Sequence, residues 1–326
     1  MTAPPDPKRR HADRAGVERL VSALRASVSG AVEADAPLAP LTTLRVGGPA
    51  AALATAETPE DLAAIARVCS EQGRSWLVLG RGSNLLVADS GWPGVVVRLG
   101  RAFQGVEVDG DVVTAGAAEP MPGLATKTAR AGLAGLAFGI AIPGTVGGAV
   151  RMNAGAHGGQ MADVLIDAEV ARLGDGGAIQ RLPAERLRMR YRHTELPADA
   201  VVVRARLRLR PAPAEALRAD MDEMRRWRRA HQPLSEPSCG SVFRNPPGDS
   251  AGRLVEAAGL KDHRVGGARV SPVHANFITV DPGGTAADVL AVIREVQQAV
   301  ERVHGVRLAT EVVIAGFYQA TVQEVP

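Results

Sequence analysis

Cysteine, lysine, net charge and long apolar runs are all scarce in this chain, and each scarcity removes a class of explanation. Only two cysteines occur among 326 residues, Cys69 and Cys239, with neither metal-ligand spacing nor clustered histidine around them. A disulfide framework and a zinc site are therefore not indicated. The three lysines, Lys8, Lys127 and Lys261, lie outside every glycine-rich loop, and no G-x-x-x-x-G-K-[ST] motif is present, which disfavours a P-loop. A net charge of +3 is too small to imply a nucleic-acid partner. No run approaches the roughly 18 apolar residues of a membrane span; the most apolar stretch, 136–150, is broken by Pro143 and four glycines. The N-terminus carries Lys8-Arg9-Arg10 and no apolar segment that reads as a secretory signal, so the expectation is a cytoplasmic protein without membrane insertion.

What is abundant is glycine, 36 residues of it, and two glycine-bearing loops stand out. Residues 135–159 combine dense glycine with apolar residues and almost no charge. Glycine tolerates positive φ and has no Cβ in the way, so successive amides can converge on phosphate oxygens without a lysine. The competing reading is a glycine-rich turn that only lets two elements pack closely. Residues 75–79 read as a buried strand that breaks into Gly80-Arg81-Gly82-Ser83-Asn84 before Leu85-Leu86-Val87. A strand end followed by a polar glycine turn suits phosphate, with Arg81, Ser83 and Asn84 as added donors. It is not the dinucleotide fingerprint, because G-x-G-x-x-G requires glycine where Leu85 stands.

The length suits two or three structural units. Residues 1–38 read as a partly disordered extension with one helix near 17–26. Thr58 as N-cap, Pro59 at the first helical position and acids at Glu60 and Asp61 spell a helix start, followed by an apolar stripe of Leu62, Ile65, Val68 and Cys69 that Gly73 ends. Strands are expected near 94–98, 105–108, 112–115 and 165–173. Residues 203–210 alternate Ala205, Leu207 and Leu209 with four arginines, a half-buried strand whose basic face is either solvated or a docking site for an acidic partner. Pro211 and Pro213 suggest a domain boundary. Beyond it come helices at 214–230, 251–258 and 286–304 and strands at 276–281 and 311–315, a small α/β module.

Three places are chemically equipped. Ser241 follows a glycine in Pro237-Ser238-Cys239-Gly240-Ser241-Val242-Phe243-Arg244-Asn245-Pro246; without G-x-S-x-G it is no triad nucleophile, but its hydroxyl can deliver a proton or simply bond to backbone. Arg192, after Tyr191, offers a planar fork for a carboxylate or an ordinary ion pair. Glu311 opens the last apolar strand, either as an exposed strand-end acid or as a partly buried one with a catalytic purpose.

Taken in order, residues 41–50 (LTTLRVGGPA), 79–87 (LGRGSNLLV), 142–148 (IPGTVGG), Tyr191-Arg192, 240–246 (GSVFRNP) and Glu311-Val312 closely resemble the UDP-N-acetylenolpyruvoylglucosamine reductase, or MurB, family over about residues 41–316. The resemblance implies an α+β architecture: a two-subdomain FAD-binding fold of the vanillyl-alcohol-oxidase (PCMH) type over 39–211, with subdomains near 39–103 and 104–211, then a substrate-binding α/β domain over 212–320. It implies non-covalent FAD, held by Gly80, Arg81, Gly82, Ser83, Asn84, Leu85, Pro143, Gly144, Thr145, Gly147, Gly148, Asn153, Gly155 and Ala156. NADPH is the implied hydride donor, and the enolpyruvyl ether of UDP-N-acetylglucosamine the implied substrate, reduced to UDP-N-acetylmuramate for peptidoglycan precursor synthesis by a monomeric enzyme. Arg192 matches the cation that stabilises the enolate-like species, Ser241 the proton donor and Glu311 the C-terminal catalytic acid. Tyr191, Asn245, Lys261 and Arg229 are implied substrate contacts, with Arg228 and Gln232 further candidates for its diphosphate. Arg244 stands where many members have lysine, and the eight residues between Arg192 and the strand near Val201 place the chain in the short-loop subgroup. Two rivals share these features: a flavoprotein oxidase or dehydrogenase of the same fold with another substrate, and an inactive nucleotide-binding module.

Overall fold

Thr58, Pro59 and Asp61 do what their order suggests. In the computed structural model, which describes residues 7–317, the Thr58 side chain accepts from the Asp61 N–H, and the Asp61 carboxylate reaches back to the Thr58 N–H. This reciprocal cap starts the helix Pro59–Glu71. Leu62, Ile65, Val68 and Cys69 form its buried stripe, each at most 2% exposed. They share a core with a four-stranded sheet ordered Val32–Pro37, Pro49–Ala56, Trp92–Leu99, Trp76–Leu79.

The N-terminal segment joins that core rather than trailing from it. The helix Pro7–Ser27 buries Leu20 and Leu24 fully, and the strand Val32–Pro37 follows it into the sheet. Leu20, Val21 and Leu24 repeat at helical spacing, which is enough to define one apolar face. Of the expected partly disordered extension, residues 1–6 lie outside the described residues.

A second sheet of five antiparallel strands runs in the order Ala178–Pro183, Leu165–Arg172, Ala200–Arg208, Val112–Gly116, Val106–Asp109. Its third strand carries the alternation seen in the sequence: Ala205, Leu207 and Leu209 are buried to 1% or less. On the other face Arg206 forks onto Asp167, its cross-strand partner, and Arg208 bonds Asp111 at 3.0 Å. Two of the four arginines of the basic row are thus ion-paired, and Arg204 and Arg210 are exposed.

By internal contacts the chain forms two units. One comprises residues up to Ala36, Ala51–Arg81 and Gly94–Ala230; the other comprises Pro37–Ala50, Gly82–Pro93 and everything from His231. The proline pair at 211 and 213 is a corner rather than a linker. Arg210–Pro211 still pairs with Leu133–Ala134, and the helix Ala214–His231 buries Leu217 and Met221 against Ala125, Ala129 and Ile140 of the first unit. The division near 212 therefore shifts to 230, and the second unit recruits two earlier stretches that a contiguous boundary misses.

In the second unit Leu44, Val46 and Leu86 join Phe243, Leu254, Ile278, Val289 and Ile293 in one core. Strand Val313–Ala315 runs parallel to Leu85–Val87, and a three-stranded sheet contains Arg264–Val265, Ala268–Val270 and Ile278–Val280. The helix Ala286–His304 starts at a Thr285/Asp288 capping box and ends at Gly305, whose φ of 66° is the left-handed cap glycine allows. Its first two amides, on Ala286 and Ala287, donate to the Asp89 carboxylate at 2.8 and 2.9 Å.

Candidate active site

In the first unit a cavity of about 260 Å³ is lined by Gly80, Arg81, Thr145, Gly147, Gly148 and Arg151, with Arg98 at its wall and no carboxylate among its lining residues. Absence of side chains makes the space. A Cβ on Gly80 would come within 3.0 Å of the Thr145 hydroxyl, and one on Gly147 within 3.0 Å of the Ala117 methyl. Space plus three arginines fits a diphosphate-bearing cofactor. A second cavity of about 220 Å³ in the same unit is lined by Glu57, Glu107 and Glu169 against Arg204, and that charge repels such an anion.

The glycine loop serves the two purposes foreseen for it at different residues. Thr145 precedes the short helix Val146–Met152, but the first two amides are already used: Val146 N–H donates to Glu119 C=O and Gly147 N–H to Ala117 C=O, both at 2.9 Å. Gly144 C=O accepts from Met121 N–H at 3.1 Å, while Pro143 is exposed. Gly147 is there for close packing; Gly80, Thr145 and Gly148 are left to face the cavity.

Asn153, expected at the cofactor, is instead fully buried and spent within the protein. Its amide donates to Gln160 Oε1 at 3.0 Å and Arg190 C=O at 2.8 Å, and its Oδ1 accepts from Ala162 N–H at 2.9 Å. It ends the helix in the left-handed region at φ 41°, where asparagine is tolerated. Gly155 and Ala156 then pair with Gln160 and Gly159 in a two-residue hairpin closed by His157 and Gly158, both at positive φ. Gly155 C=O accepts from Arg192 Nη2 at 2.8 Å. Arg192 itself sits at φ 52°, a conformation that costs a non-glycine residue about 1–2 kcal/mol, inside a turn closed by mutual backbone bonds of Arg190 and His193. Its guanidinium carbon lies 5.0 Å from the ring centre of the exposed Tyr191.

The other half of the GRGSN loop belongs to the second unit. Gly82 is required by backbone against backbone: at φ 59° its Cβ would lie 2.2 Å from Leu41 C=O. Ser83 is half-buried and Leu85 begins a strand. Asn84 donates from Nδ2 to Glu311 C=O at 3.0 Å, and its own C=O accepts from Val313 N–H at 3.1 Å. Asn84 thus anchors the strand that carries Glu311.

Ser241 and Glu311 are brought together by paired segments of this unit. Glu311 N–H donates to Val242 C=O at 2.7 Å, Arg244 N–H donates to Ala309 C=O at 2.9 Å, and Phe243 bridges Thr310. A clamp holds the serine segment from behind. Asn276, 4% exposed, accepts from Phe243 N–H and donates to Phe243 C=O, both at 2.9 Å, and its own C=O takes Val242 N–H at 2.9 Å. Cys239 is buried beside them, and burial first, then the Glu311 charge, pushes its thiol up to about 12. It is a small core residue, unionised at neutral pH.

The expected substrate contacts divide between the units. Asn245 Oδ1 accepts from Ala251 N–H at 3.0 Å, and Lys261 pairs with Glu256 at 2.7 Å, both in the second unit. Tyr191 and the exposed Arg229 are in the first. On the helix that bears Arg229, Trp227 meets His157 edge-on at 5.2 Å, and burial together with the Arg228 charge holds that imidazole below its ordinary 6.5. Sequence reasoning missed Asn276 and Arg151 as parts of the two sites; the one signal available for Asn276 was a polar residue opening an otherwise apolar strand.

A glycine-and-arginine cavity suits a diphosphate-bearing cofactor, and residues 50–181, which carry most of its lining, match the family model described as an FAD binding domain, which makes the chain an FAD-binding protein. Residues 232–315 match the model of the UDP-N-acetylenolpyruvoylglucosamine reductase C-terminal domain. The UDP-N-acetylenolpyruvoylglucosamine reductase of Bacillus velezensis is 42% identical over 302 residues, covering 92% of this chain and 99% of that protein. That of Heliobacterium modesticaldum is 47% identical over 282 residues, 86% of this chain and 89% of that protein. The crystal structure of the enzyme from Thermus caldophilus superposes with a TM-score of 0.77 at 41% identity, covering 88% of this chain and all of that one. The chain belongs to the UDP-N-acetylenolpyruvoylglucosamine reductase family. The expected FAD-binding fold with a further substrate domain stands. Among the described residues there is no metal-binding cluster, and no helix is long and apolar enough to cross a membrane.

Proposed function

We propose that this chain reduces the enolpyruvyl ether of UDP-N-acetylglucosamine to UDP-N-acetylmuramate at the expense of NADPH, a step of peptidoglycan precursor synthesis, and that Arg192, Ser241 and Glu311 carry the protein's share of the chemistry. When bound, FAD supplies a two-electron carrier between the nicotinamide and the enolpyruvyl group. Gly80, Arg81, Thr145, Gly148 and Arg151 would hold it through its diphosphate, as the shape and charge of their cavity support.

The remaining chemistry follows from the substrate. A hydride arriving at C3 of the enolpyruvyl group breaks the C2–C3 π bond and sends its electron pair toward C2 and the carboxylate. A fixed guanidinium at Arg192, held by Gly155 C=O, stabilises that charge without reorganising. Ser241 then gives its hydroxyl proton to C2, completing the lactyl ether, and regains a proton from solvent. Glu311, whose backbone is bonded to Val242 beside Ser241, serves the carboxylate end as an acid, donating to it in the protonated form. The observation that carries this assignment is the pairing of the 241–244 and 309–312 segments within one unit, clamped by Asn276. The reading includes a monomeric enzyme, and NADPH with a UDP-sugar as reactants supports action in the cytoplasm.

The test is anaerobic flavin absorbance of the purified protein, with NADPH added first and the UDP-linked enolpyruvyl sugar second. Bleaching followed by return of the yellow band on adding the sugar is expected. Bleaching without return would assign the flavin to another substrate, and a protein that takes up no FAD would refute the reading.

A further inference from the structure

We infer that Thr194 is a positioning residue for Arg192, acting through the stretch of chain that leads out of the cofactor cavity; the inference rests on the role proposed above for Arg192. Arg192 holds φ 52° inside a four-residue turn. An arginine stays in that region only where its surroundings over-determine it. One short stretch, residues 150–155, supplies three of the bonds that do so. Thr194 Oγ1 donates to Val150 C=O at 2.7 Å on one side of the turn, and Asn153 Nδ2 donates to Arg190 C=O at 2.8 Å on the other. Arg192 Nη2 donates to Gly155 C=O at 2.8 Å between them. The Arg151 guanidinium bonds Ala200 C=O at the base of the loop.

The Thr194 bond is shielded from water, with Thr194 9% exposed, and on the other side the Asn153 donor is 0% exposed. Shielded bonds hold geometry better than exposed ones because no solvent competes for the partners. The turn is pinned before and after Arg192, which fixes where its Cα stands, and the bond to Gly155 C=O then sets where the guanidinium rests. The pinning stretch is continuous with the helix Val146–Met152, whose Gly147, Gly148 and Arg151 line the cavity. One piece of backbone therefore lines the cofactor cavity and aims Arg192. The Thr194 hydroxyl is spent on Val150, so its influence on the reaction runs through the arginine.

Thr194→Val removes the hydroxyl at nearly constant volume, Thr194→Ser keeps it, and each is made with Arg192 intact and as Arg192→Ala. Stopped-flow spectroscopy under anaerobic conditions reads flavin reduction by NADPH and flavin reoxidation by the enolpyruvyl UDP-sugar separately; bound FAD is measured alongside. With Arg192 intact, Thr194→Val is expected to slow reoxidation about tenfold, the worth of one buried hydrogen bond, while NADPH reduction and FAD content are retained and Thr194→Ser restores the rate. In the Arg192→Ala background the valine is expected to add almost nothing, because the group it positions is gone. Equal slowing of both half-reactions, or an undiminished Thr194 effect in the Arg192→Ala background, would overturn the inference and leave Arg192's role standing. Arg192→Ala reoxidising at the wild-type rate would instead refute the role of Arg192 and the inference with it. Thr194→Ala removes the same hydroxyl and reads identically if the valine protein does not fold.

Discussion

Replacing Asn276 by alanine tests the idea that the Ser241 segment is held by a side chain rather than by the sheet. The change deletes two bonds, from Phe243 N–H to Oδ1 and from Nδ2 to Phe243 C=O, each 2.9 Å long, while the backbone bond from Val242 N–H to the residue 276 carbonyl survives. Each lost bond is worth about 0.5–1.5 kcal/mol net, or about 1–3 kcal/mol for the pair. Phe243 is 2% exposed, so water does not easily replace the partner and the stranded amide and carbonyl push the cost upward. A loss of about 2–4 kcal/mol is expected in urea unfolding followed by circular dichroism and by tryptophan emission, with Trp92 as the reporter inside the second unit. The same protein should reduce its flavin with NADPH at the normal rate and reoxidise slowly with the sugar, because Ser241 has lost its backing. A stability loss below about 1 kcal/mol, with substrate-driven reoxidation intact, would show that strand pairing to 309–312 suffices and that the clamp is incidental.

Ser241→Ala should leave reduction by NADPH intact and suppress reoxidation by the sugar; a failure of flavin reduction itself would contradict a proton donor used only after hydride transfer. Cys239→Ala should keep most activity, and in the native protein a thiol reagent at pH 8 should label Cys239 only as fast as the chain unfolds, since burial holds the thiol near 12. Rapid labelling of the folded protein would disprove that burial. Asp61 is 4% exposed; burial alone would raise its carboxyl, but bonds from Ser29 N–H and Oγ, Glu57 N–H and Thr58 N–H outweigh that and hold it below the ordinary 3.8. A depressed folded value means the contribution is fully present above about pH 4 and disappears as pH falls through the folded value. Asp61→Asn should therefore destabilise the protein at pH 7 by about 1–3 kcal/mol, with the gap to wild type closing on acidification below pH 4; a gap independent of pH would refute the charged-state argument.

Local chemistry was legible wherever neighbours in sequence are neighbours in space. The cap at Thr58 and Asp61, the alternation of Ala205, Leu207 and Leu209 with arginines, and the helix Ala286–His304 all follow from spacing that one turn or one strand enforces. The order of the short motifs likewise marked the family, and the residue types at 192, 241 and 311 marked the chemistry. What those spacings do not contain is which distant group a polar side chain meets. Asn84 reaches Glu311 across 227 positions, Thr194 reaches Val150 across 44, and Asn276 reaches Phe243 across 33.

Such bonds show that Asn153 and Asn84, expected at the cofactor, each spend a side-chain amide on the protein itself, while burial of Leu44, Val46 and Leu86 in the second core draws residues 37–50 and 82–93 into the C-terminal unit. The chain by itself determined its helices, strands, caps and reactive side chains, because each is an energy balance settled within a few residues. Tertiary structure alone decided which amides were spent on backbone and which were left to face the cavity, because a hydrogen-bond partner is chosen by proximity in three dimensions and a buried polar group without one costs free energy.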